Sequence, residues 1–429
     1  MIWTTLLGML TATVLSGAVL GSALGLTGFA ILHFFAGGST RIGVQTVWNT
    51  LNEFTLTAIP LFILLGELLV ASGLARGVYR AMAPFFGRLP GGLLHTNIAV
   101  CTVFGAVSGS SMSVAAAVGS VAYPELKSRG YDRAQTVGTL AAGGTLGLLI
   151  PPSLSLLIYG ALTDTSIGRL FMAGVLPGLM MAAIFMAWIV FAALRNPAIA
   201  PEEKRVAISE ALRGLTGVLP LLVLIVAVLG SLFAGLATPT EAAGVGVAAA
   251  AVLGFTIGDL TLRGVGQALI GTVRTFAVIA MVFVGALVLA QAISLLGLPQ
   301  QMLAVVSEWG LSKWLLLVVV VVVYLILGCF FDGLSMMIMT LPLVFPLLTG
   351  VGFDPVWLGV VVTIMIEVGM LTPPVGMNLF VLVGITGGEV KLGEAAVAAL
   401  PYWIALLLGV LLLCLFPGIA LFLPGLAFG

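Results

Sequence analysis

Long apolar runs dominate this sequence and constrain its fold more than any other feature. A helix of about 20 apolar residues is long enough to cross the hydrocarbon core of a bilayer. Only 7% of the 429 residues are charged, whereas charged residues make up about 25% of a typical soluble domain. We therefore predict an all-α polytopic membrane protein surrounded by lipid, with membrane segments at 2–35, 54–74, 134–162, 170–193, 215–237, 241–258, 276–296, 356–386 and 397–423.

Two further apolar stretches, at 93–126 and 313–348, are interrupted near their midpoints. The first is broken by Ser-Gly-Ser-Ser at 108–111, and the second by Asp-Gly at 332–333. Each stretch is too long for one membrane helix. Irregular backbone at membrane depth is tolerated only where protein or water surrounds it. The pattern predicts two re-entrant helical hairpins.

The two hairpin regions belong to an internal repeat. At an offset of 222 residues, segments 113–152 and 335–374 are identical at nine of 40 positions, and seven of these are Gly, Pro, Ser or Asp. Gly and Pro matches indicate matched backbone geometry. Hydrophobic segments interrupted at corresponding positions are typical of inverted-repeat transporters. We predict a first repeat at 1–214 with a broken helix at about 134–162, and a linker helix and second inverted repeat at 215–429 with a broken helix at about 356–386.

Basic residues indicate which loops face the cytoplasm, because cytoplasmic loops carry an excess of Lys and Arg. Thirteen of the 16 basic residues lie in five loops, and only Arg41, Arg169 and Lys313 lie elsewhere. We therefore expect the first hairpin to open from the cytoplasm and the second from outside, with opposite polarity. The five loops are 76–90, 125–133, 195–213, 259–274 and 387–394.

Each repeat also has a Pro-Pro pair inside an otherwise spanning helix. Proline lacks an N–H, so the carbonyl four residues earlier loses its donor. Freed carbonyl groups in a dry interior suit Na⁺, although Ser or Thr hydroxyls at a simple kink are the alternative partners. The helix breaks are Pro151, Pro152, Pro373 and Pro374, and the freed carbonyls belong to Gly147, Leu148, Gly369 and Met370.

The hairpin tips supply further ligands beside these breaks. Serine hydroxyls mark the first tip, where the N-terminus of the second arm also favours an anion. Asp332 replaces a serine in the second tip, and there it needs a compensating cation or proton, unless it only caps the following helix. We predict sodium binding by Ser108, Gly109, Ser111 and Gly147 in one repeat and by Asp332, Gly333, Ser335, Gly369 and Thr372 in the other. The predicted substrate contacts, at the membrane midplane, are Ser110, Ser153 and Asn378.

Three other acids fall within apolar segments and are functional candidates for that reason. Glu241 follows Thr238 and Pro239, a pattern typical of a helix start, and we interpret it as a structural cap. For Glu67 and Glu367 the sequence leaves three alternatives: the carboxyl group is protonated, it is paired with another group, or it is part of a proton path. These two acids become the better coupling candidates if transport follows protons instead of sodium.

Several motifs together carry a family resemblance. The runs Ser108-Gly-Ser-Ser, Pro124-Glu-Leu-Lys-Ser-Arg-Gly-Tyr-Asp132, Gly144-Thr-Leu-Gly-Leu-Leu-Ile-Pro-Pro-Ser153 and Thr372-Pro-Pro-Val-Gly-Met-Asn-Leu379 resemble the DctM-like large membrane subunit of TRAP (tripartite ATP-independent periplasmic) transporters. Ala58-Ile-Pro-Leu-Phe62 and Thr238-Pro-Thr-Glu-Ala-Ala243 are also similar to that family. The resemblance covers nearly the whole chain.

The resemblance implies a sodium-driven secondary transporter of bacterial inner membranes that works as an elevator. It implies three partners: a small four-helix membrane subunit, a periplasmic substrate-binding protein and a small organic anion as substrate. The sequence predicts no enzyme, because it has no Walker A motif, zinc helix or Ser/His arrangement, and no cofactor beyond the coupling ions. A net charge of zero argues against a nucleic-acid partner. The alternatives are a stand-alone divalent-anion/sodium symporter with paired hairpins, an intramembrane enzyme and a channel.

Overall fold

The computed structural model describes residues 2–201, 203 and 214–428, which contain helices and no strands. Short 3-10 turns occur at Phe54–Thr57, Pro197–Ile199 and Leu215–Val218. The α-helices are α1 (Ile2–Leu15), α2 (Leu20–Phe34), α3 (Thr40–Leu51), α4 (Ala58–Ala71), α5 (Leu74–Phe86), α6 (Leu93–Ser108), α7 (Ser111–Ser128), α8 (Arg133–Leu149), α9 (Leu154–Thr163), α10 (Ile167–Arg195), α11 (Leu219–Phe233), α12 (Pro239–Thr256), α13 (Leu262–Leu295), α14 (Leu298–Glu308), α15 (Lys313–Gly328), α16 (Gly333–Gly350), α17 (Pro355–Leu371), α18 (Met377–Ile385), α19 (Leu392–Leu415) and α20 (Gly418–Phe428).

Many of these helices suit a bilayer. In the described residues, seven helical segments are long and apolar enough to cross a membrane, and the α4–α5 pair, bent by 68°, makes an eighth if it is counted as one span. The predicted all-α polytopic membrane fold is confirmed.

Four predicted boundaries were wrong. Most of the predicted loop 259–274 is the first part of α13, Leu262–Leu295. The run 2–35 is two helices, α1 and α2, separated near Gly17, whose φ is +77°. The run 397–423 divides between α19 and α20 at Pro417, because proline cannot donate a helical hydrogen bond. Loop 76–90 is mostly the amphipathic helix α5, which a search for purely apolar runs misses. Most of the predicted loop 195–213 lies outside the described residues.

The two predicted hairpins are present. Helices α6 and α7 are joined at Gly109, whose φ of +61° is readily adopted only by glycine. Helices α15 and α16 are joined by a short connection that ends at Asp332. The polar and glycine residues that interrupt each apolar stretch therefore form the hairpin turns.

The two predicted broken helices are also present. The first divides into α8 and α9 around its Pro-Pro pair, and the second into α17 and α18. Both Pro-Pro peptide bonds are cis. The first break is buried, whereas the prolines of the second are exposed. The two halves thus share their order of elements but differ in how deeply the break is enclosed.

The matched residues of the repeat occupy matched local structures. Gly130 and Gly352 both have positive φ, at +81° and +92°. Two residues later, Asp132 and Asp354 cap α8 and α17, and each Oδ1 accepts a hydrogen bond from the backbone N–H three residues on, at 2.8 and 2.9 Å. The segments Gly130-Tyr-Asp132 and Gly352-Phe-Asp354, which align in the repeat, therefore share one turn-and-cap geometry.

In each half, the hairpin crosses the broken helix at a pair of glycines. A Cβ atom built on Gly105 would lie 2.8 Å from the Cα of Gly147, and one on Gly328 would lie 2.4 Å from the Cα of Gly369. Backbones can approach this closely only where side chains are absent. These crossings hold each hairpin tip against a helix break.

Candidate functional site

The tip of the first hairpin packs directly on the first helix break. The Leu154 N–H donates to the carbonyl of Gly109 at 3.3 Å. A Cβ atom on Gly109 would lie 3.0 Å from the carbonyl oxygen of Pro152. Ser110 caps α7, its hydroxyl accepting from the Ser113 N–H at 3.4 Å. The tip is thus held by backbone contacts that leave no room for a side chain at position 109.

Ser111, at the start of α7, joins this tip to the second repeat. Its hydroxyl donates to Glu367 Oε2 at 3.1 Å and accepts from Asn378 Nδ2 at 2.7 Å. Glu367 lies on α17 and Asn378 on α18. The three side chains form a continuous polar chain between the first hairpin and both arms of the second broken helix.

This polar chain is buried and contains unsatisfied acceptors. Glu367 is only 1% exposed, and it makes no ion pair with a basic residue in the described part of the chain. Among the described residues, buried Glu367 Oε1 and Asn378 Oδ1 have no hydrogen-bond partner, and neither has buried Ser108 Oγ at the end of α6. An ionised carboxylate in such surroundings is costly unless a cation or proton compensates it. Oxygen acceptors without donors are the groups that a hard cation binds.

Three residues predicted for the second sodium site, Asp332, Gly333 and Ser335, lie together at the start of α16. Asp332 Oδ2 accepts from the Ser335 N–H at 3.0 Å, so this acid does cap α16. Gly333 packs on α17, where a Cβ atom would collide with Ile366 at 2.1 Å. Asp332 is half-buried, in contrast to the fully buried Glu367. The cap leaves Asp332 Oδ1 available to a ligand.

Thr372, also predicted for this site, lies at the end of α17. Its N–H donates to the carbonyl of Gly369 at 3.0 Å. Its hydroxyl donates to the Val368 carbonyl at 2.7 Å and accepts from the Trp403 indole at 2.9 Å. The hydroxyl therefore retains one lone pair. Trp403, on α19, was not a sequence candidate, and no local pattern marks it.

The carbonyls freed by the first Pro-Pro pair have different partners. The Leu148 carbonyl accepts from the hydroxyls of Ser153 and Ser155, the latter at 2.9 Å. Serine thus satisfies this carbonyl, which is the alternative that the sequence left open. In the described residues, none of the hydrogen bonds outside the regular helical pattern ends on the carbonyl of Gly147. Gly147 remains the more available ligand of the two.

The three predicted substrate contacts occupy different surroundings. Ser110 is partly exposed at the tip. Ser153 is buried, and its hydroxyl also caps α9 by accepting from the Leu156 N–H at 3.3 Å. Asn378 lies in the buried chain with Glu367. Ser110 is therefore the one of the three with access to solvent or ligand.

The three acids that fall within apolar segments of the sequence have different surroundings in the structure. Glu241 forms a capping box with Thr238, with the Glu241 carboxylate accepting from the Thr238 N–H at 2.8 Å, which confirms its structural role. Glu67 is half-buried on α4 and faces α13, where a Cβ atom on Gly271 would lie 3.0 Å from Glu67 Oε2. Of these three acids, Glu367 is the one that forms a hydrogen bond with a residue of the other repeat in the described structure.

A second contact between the repeats was absent from the sequence prediction. Ser155 on α9 and Thr363 on α17 share a hydrogen bond of 3.1 Å between their hydroxyls. One turn further along α9, the Tyr159 hydroxyl donates to the carbonyl of Pro355 at 2.7 Å. These contacts align α9 with α17 and place Glu367 beside the first hairpin.

The fold has a solved counterpart. The crystal structure of the YdaH transporter from Alcanivorax borkumensis, described as having an unusual topology, matches with a TM-score of 0.61 over 90% of each chain. The sequences are 17% identical, so this likeness concerns the fold alone.

Sequence comparison is more specific. The family model for the DctM component of the tripartite ATP-independent periplasmic transporter matches residues 7–419. The C4-dicarboxylate TRAP transporter large permease protein DctM of Pseudomonas aeruginosa is 36% identical, covering 94% of this chain and 93% of the relative. The sialic acid TRAP transporter large permease protein SiaM of Vibrio cholerae is 31% identical, covering 99% and 97%. The chain therefore belongs to the DctM family of TRAP transporters, as a multi-pass large permease protein and not an enzyme.

Proposed function

We propose that this protein is the permease subunit of a cation-coupled secondary transporter that imports a small organic acid across a bacterial inner membrane. The names of its relatives support this substrate class, since they include permeases for C4-dicarboxylates, sialic acid and 2,3-diketo-L-gulonate. The relatives differ in substrate at similar identity, so the proposal specifies the class of organic acids and no single member.

The buried chain of Ser111, Glu367 and Asn378 carries the proposal of cation coupling. It places a carboxylate, a carboxamide oxygen and a hydroxyl together without a basic partner among the described residues. Sodium binds through oxygen ligands of this kind at discontinuous helices. We expect Glu367 and Asn378 to extend the predicted first sodium site, and Asp332 and Thr372 to supply the second.

Alternating access follows from the proposed inverted arrangement. The first hairpin leads to a loop with Lys127, Arg129 and Arg133, whereas the connection from 351 to 354 contains no basic residue. With basic loops in the cytoplasm, the hairpins enter from opposite sides. Cation and substrate then bind between the tips, and the hairpin and broken-helix pairs move together as an elevator.

Two protein partners are part of the proposal: a small four-helix membrane subunit and a periplasmic binding protein that delivers the substrate. A relative in Oleidesulfovibrio alaskensis, named the isethionate TRAP transporter permease protein DctMQ, aligns with this chain over only 64% of its own length. The additional length fits a fused second subunit.

The decisive experiment is uptake into proteoliposomes that contain the permease and its small subunit, with the binding protein outside. Organic-acid uptake should follow an imposed sodium gradient and fail without the binding protein. Uptake driven only by a proton gradient would overturn sodium coupling and favour proton transfer at Glu367 or Glu67. Uptake by the permease alone would favour the stand-alone symporter.

A further inference from the structure

A large cavity lies away from the polar chain, between α5 and the second arm of the first hairpin. Its volume is about 940 Å³. One wall is the face of α5 that contains Arg76 and Arg80, and the opposite wall is formed by α7 around Ser120 and Pro124. Glu203, in the connection between the repeats, also lines it. Helix α7 therefore has Ser111 at one end and this cavity towards the other.

The acids of this cavity are already paired. Arg129 contacts Glu125 at 2.7 Å and Glu203 at 2.9 Å. The Tyr131 hydroxyl also donates to Glu203 at 3.0 Å. Burial, followed by the Glu203 charge and hydrogen bond, raises the pKa of Tyr131, so this hydroxyl remains a donor near neutral pH. One arginine thus neutralises much of the negative charge in the lining.

Arg76 and Arg80 have no such partners. Both are exposed, and neither forms an ion pair with a carboxylate of the described residues. They are four residues apart on α5, so their side chains project from the same face of the helix. Within the described part of the chain, the lining therefore presents two guanidinium groups without an ion-pair partner, which suit bidentate contacts with carboxylate or phosphate oxygens.

Two other features bear on what these arginines bind. They also border a smaller cavity of about 300 Å³, which includes Asp259. Helix α5 is amphipathic, so phospholipid headgroups compete for the same arginines. We favour the larger cavity as the binding site because its opposite wall is α7, the helix that begins at Ser111 of the hairpin tip. Ser111 and Ser120 are nine residues apart on this helix, a rise of about 14 Å at 1.5 Å per residue.

We propose that the Arg76–Arg80 cavity is a second binding site for a small organic carboxylate, occupied as the substrate leaves the hairpin tip for the cytoplasm. The inference rests on the proposed function for its substrate class and direction. Arg76 and Arg80 hold the carboxylate oxygens, while the Glu125–Arg129–Glu203 group closes the cavity beside them. We expect this site to bind the carboxylate weakly because both arginines are exposed. Tight binding there would slow the release of the substrate.

Thiol protection tests occupancy without measuring transport. Ser120→Cys is introduced after Cys101, Cys329 and Cys414 are replaced by alanine, and its reaction with the uncharged reagent N-ethylmaleimide is timed in phosphatidylcholine nanodiscs. Succinate, pyruvate and gluconate are the probes, with 1,4-butanediol and sodium chloride of equal ionic strength as controls. At least one carboxylate should slow the reaction several-fold and saturably, whereas the controls should not.

The Arg76→Gln and Arg80→Gln double variant should remove this protection, and each single variant should weaken it about tenfold or less. Arg263→Gln with Arg274→Gln, on α13 and outside the lining, is the matched control and should leave protection unchanged. Absence of protection by all three carboxylates, or protection that survives the double variant, would overturn the proposal.

A further experiment with added anionic lipid tests whether a phospholipid headgroup occupies the cavity instead. If added phosphatidylglycerol slows the reaction through the two arginines and carboxylates do not, the cavity is a headgroup site and the proposal is wrong. The proposed function fails separately, through the uptake experiment. Protection lost with uptake retained contradicts only this second site.

Discussion

Ser111 and Glu367, 256 residues apart in the sequence, are joined by a buried hydrogen bond of 3.1 Å. Ser111 begins the second arm of one hairpin, and Glu367 lies near the end of the first arm of the opposite broken helix. A change in the charge or ligation of Glu367 therefore acts directly on the first hairpin. The proposed binding of a cation at Glu367 would thus affect the first hairpin through this hydrogen bond.

Glu367→Gln should weaken sodium activation of uptake about tenfold or more, which corresponds to at least about 1.4 kcal/mol. The substitution removes the negative charge while keeping a side-chain oxygen beside Ser111. The measurement is the sodium dependence of organic-acid uptake in proteoliposomes. Glu67→Gln is the matched control, because Glu67 is half-buried and lies outside the polar chain. Equal losses in the two variants would argue against a special role for Glu367.

Asp332 has two roles to separate, since its carboxylate caps α16 and is also a predicted sodium ligand. Asp332→Ala should remove both, weakening sodium activation more than substrate capture and costing about 1 kcal/mol of stability through the lost cap. Asp332→Asn keeps a good capping residue and removes the charge. If Asp332→Asn preserves both melting temperature and sodium activation, the acid serves only as a cap.

The glycine crossings predict a sharp stability effect. Gly328→Ala should destabilise the protein by about 1–3 kcal/mol, because its Cβ atom would collide with the backbone of Gly369. Gly244→Ala on α12 meets nothing within 4 Å and should be neutral or stabilising. The melting temperatures of the two purified variants test this difference in stability. Equal melting temperatures for both would mean that α15 and α17 do not approach closely.

Glu389, between α18 and α19, links the two repeats at the surface by contacts with Lys127 at 2.5 Å, Tyr123 at 2.9 Å and Arg133 at 3.7 Å. Hydrogen bonds from Lys127 and Tyr123 and the nearby positive charges lower the pKa of Glu389. Because the folded pKa lies below the unfolded value, the stabilisation is present above about pH 4.3 and disappears as pH falls through the folded pKa.

Glu389→Gln should therefore lower the melting temperature slightly at pH 7, and the difference from the unmodified protein should vanish in acid. High salt should also reduce it, because exposed pairs are screened. Glu308→Gln, at an exposed acid without an ion pair among the described residues, is the control. A difference that persists at a pH low enough to protonate the folded carboxyl would contradict an electrostatic origin.

The parts of the fold that could be predicted are those with local signals. Glycine and proline inside apolar runs have few structural explanations, so Gly109 and the Pro-Pro pairs located the turns and breaks. Asp132 and Asp354 stood out through the repeat. Helices α3, α5 and α14 were missed because they are not long apolar runs, and their positions depend on packing.

The sequence singled out Ser111, Glu367 and Asn378 as separate candidates, but it did not predict that they contact one another. The prediction of two separate sodium sites, one in each repeat, was based on the hairpin tips and the Pro-Pro breaks in the sequence. The structure instead joins Ser111 to Glu367 and Asn378 of the other repeat, and Ser155 to Thr363. No local pattern encodes contacts between segments so far apart, because they arise only when the two halves pack together.

The sidedness of the hairpins is the most direct test of the proposed mechanism. Ser128, the last residue of α7, is exposed among the basic residues at the end of that helix, as is Pro355 at the start of α17. Gly352 is a poor position for cysteine because its φ is +92°, whereas Pro355 has an ordinary helical position. Single cysteines are therefore placed at Ser128 and Pro355 in a background without Cys101, Cys329 and Cys414.

In intact cells, an impermeant maleimide should label Pro355→Cys and leave Ser128→Cys unreacted until the membrane is permeabilised. The reason is that basic residues hold the Ser128 loop in the cytoplasm, while the matched connection of the second repeat has none. A permeant maleimide should label both cysteines and so confirms that each is reactive. Because the two positions follow equivalent hairpins, labelling from opposite sides requires equivalent backbones in inverted orientations. Labelling of both from one side would instead make the repeats parallel and would remove the structural basis for alternating access.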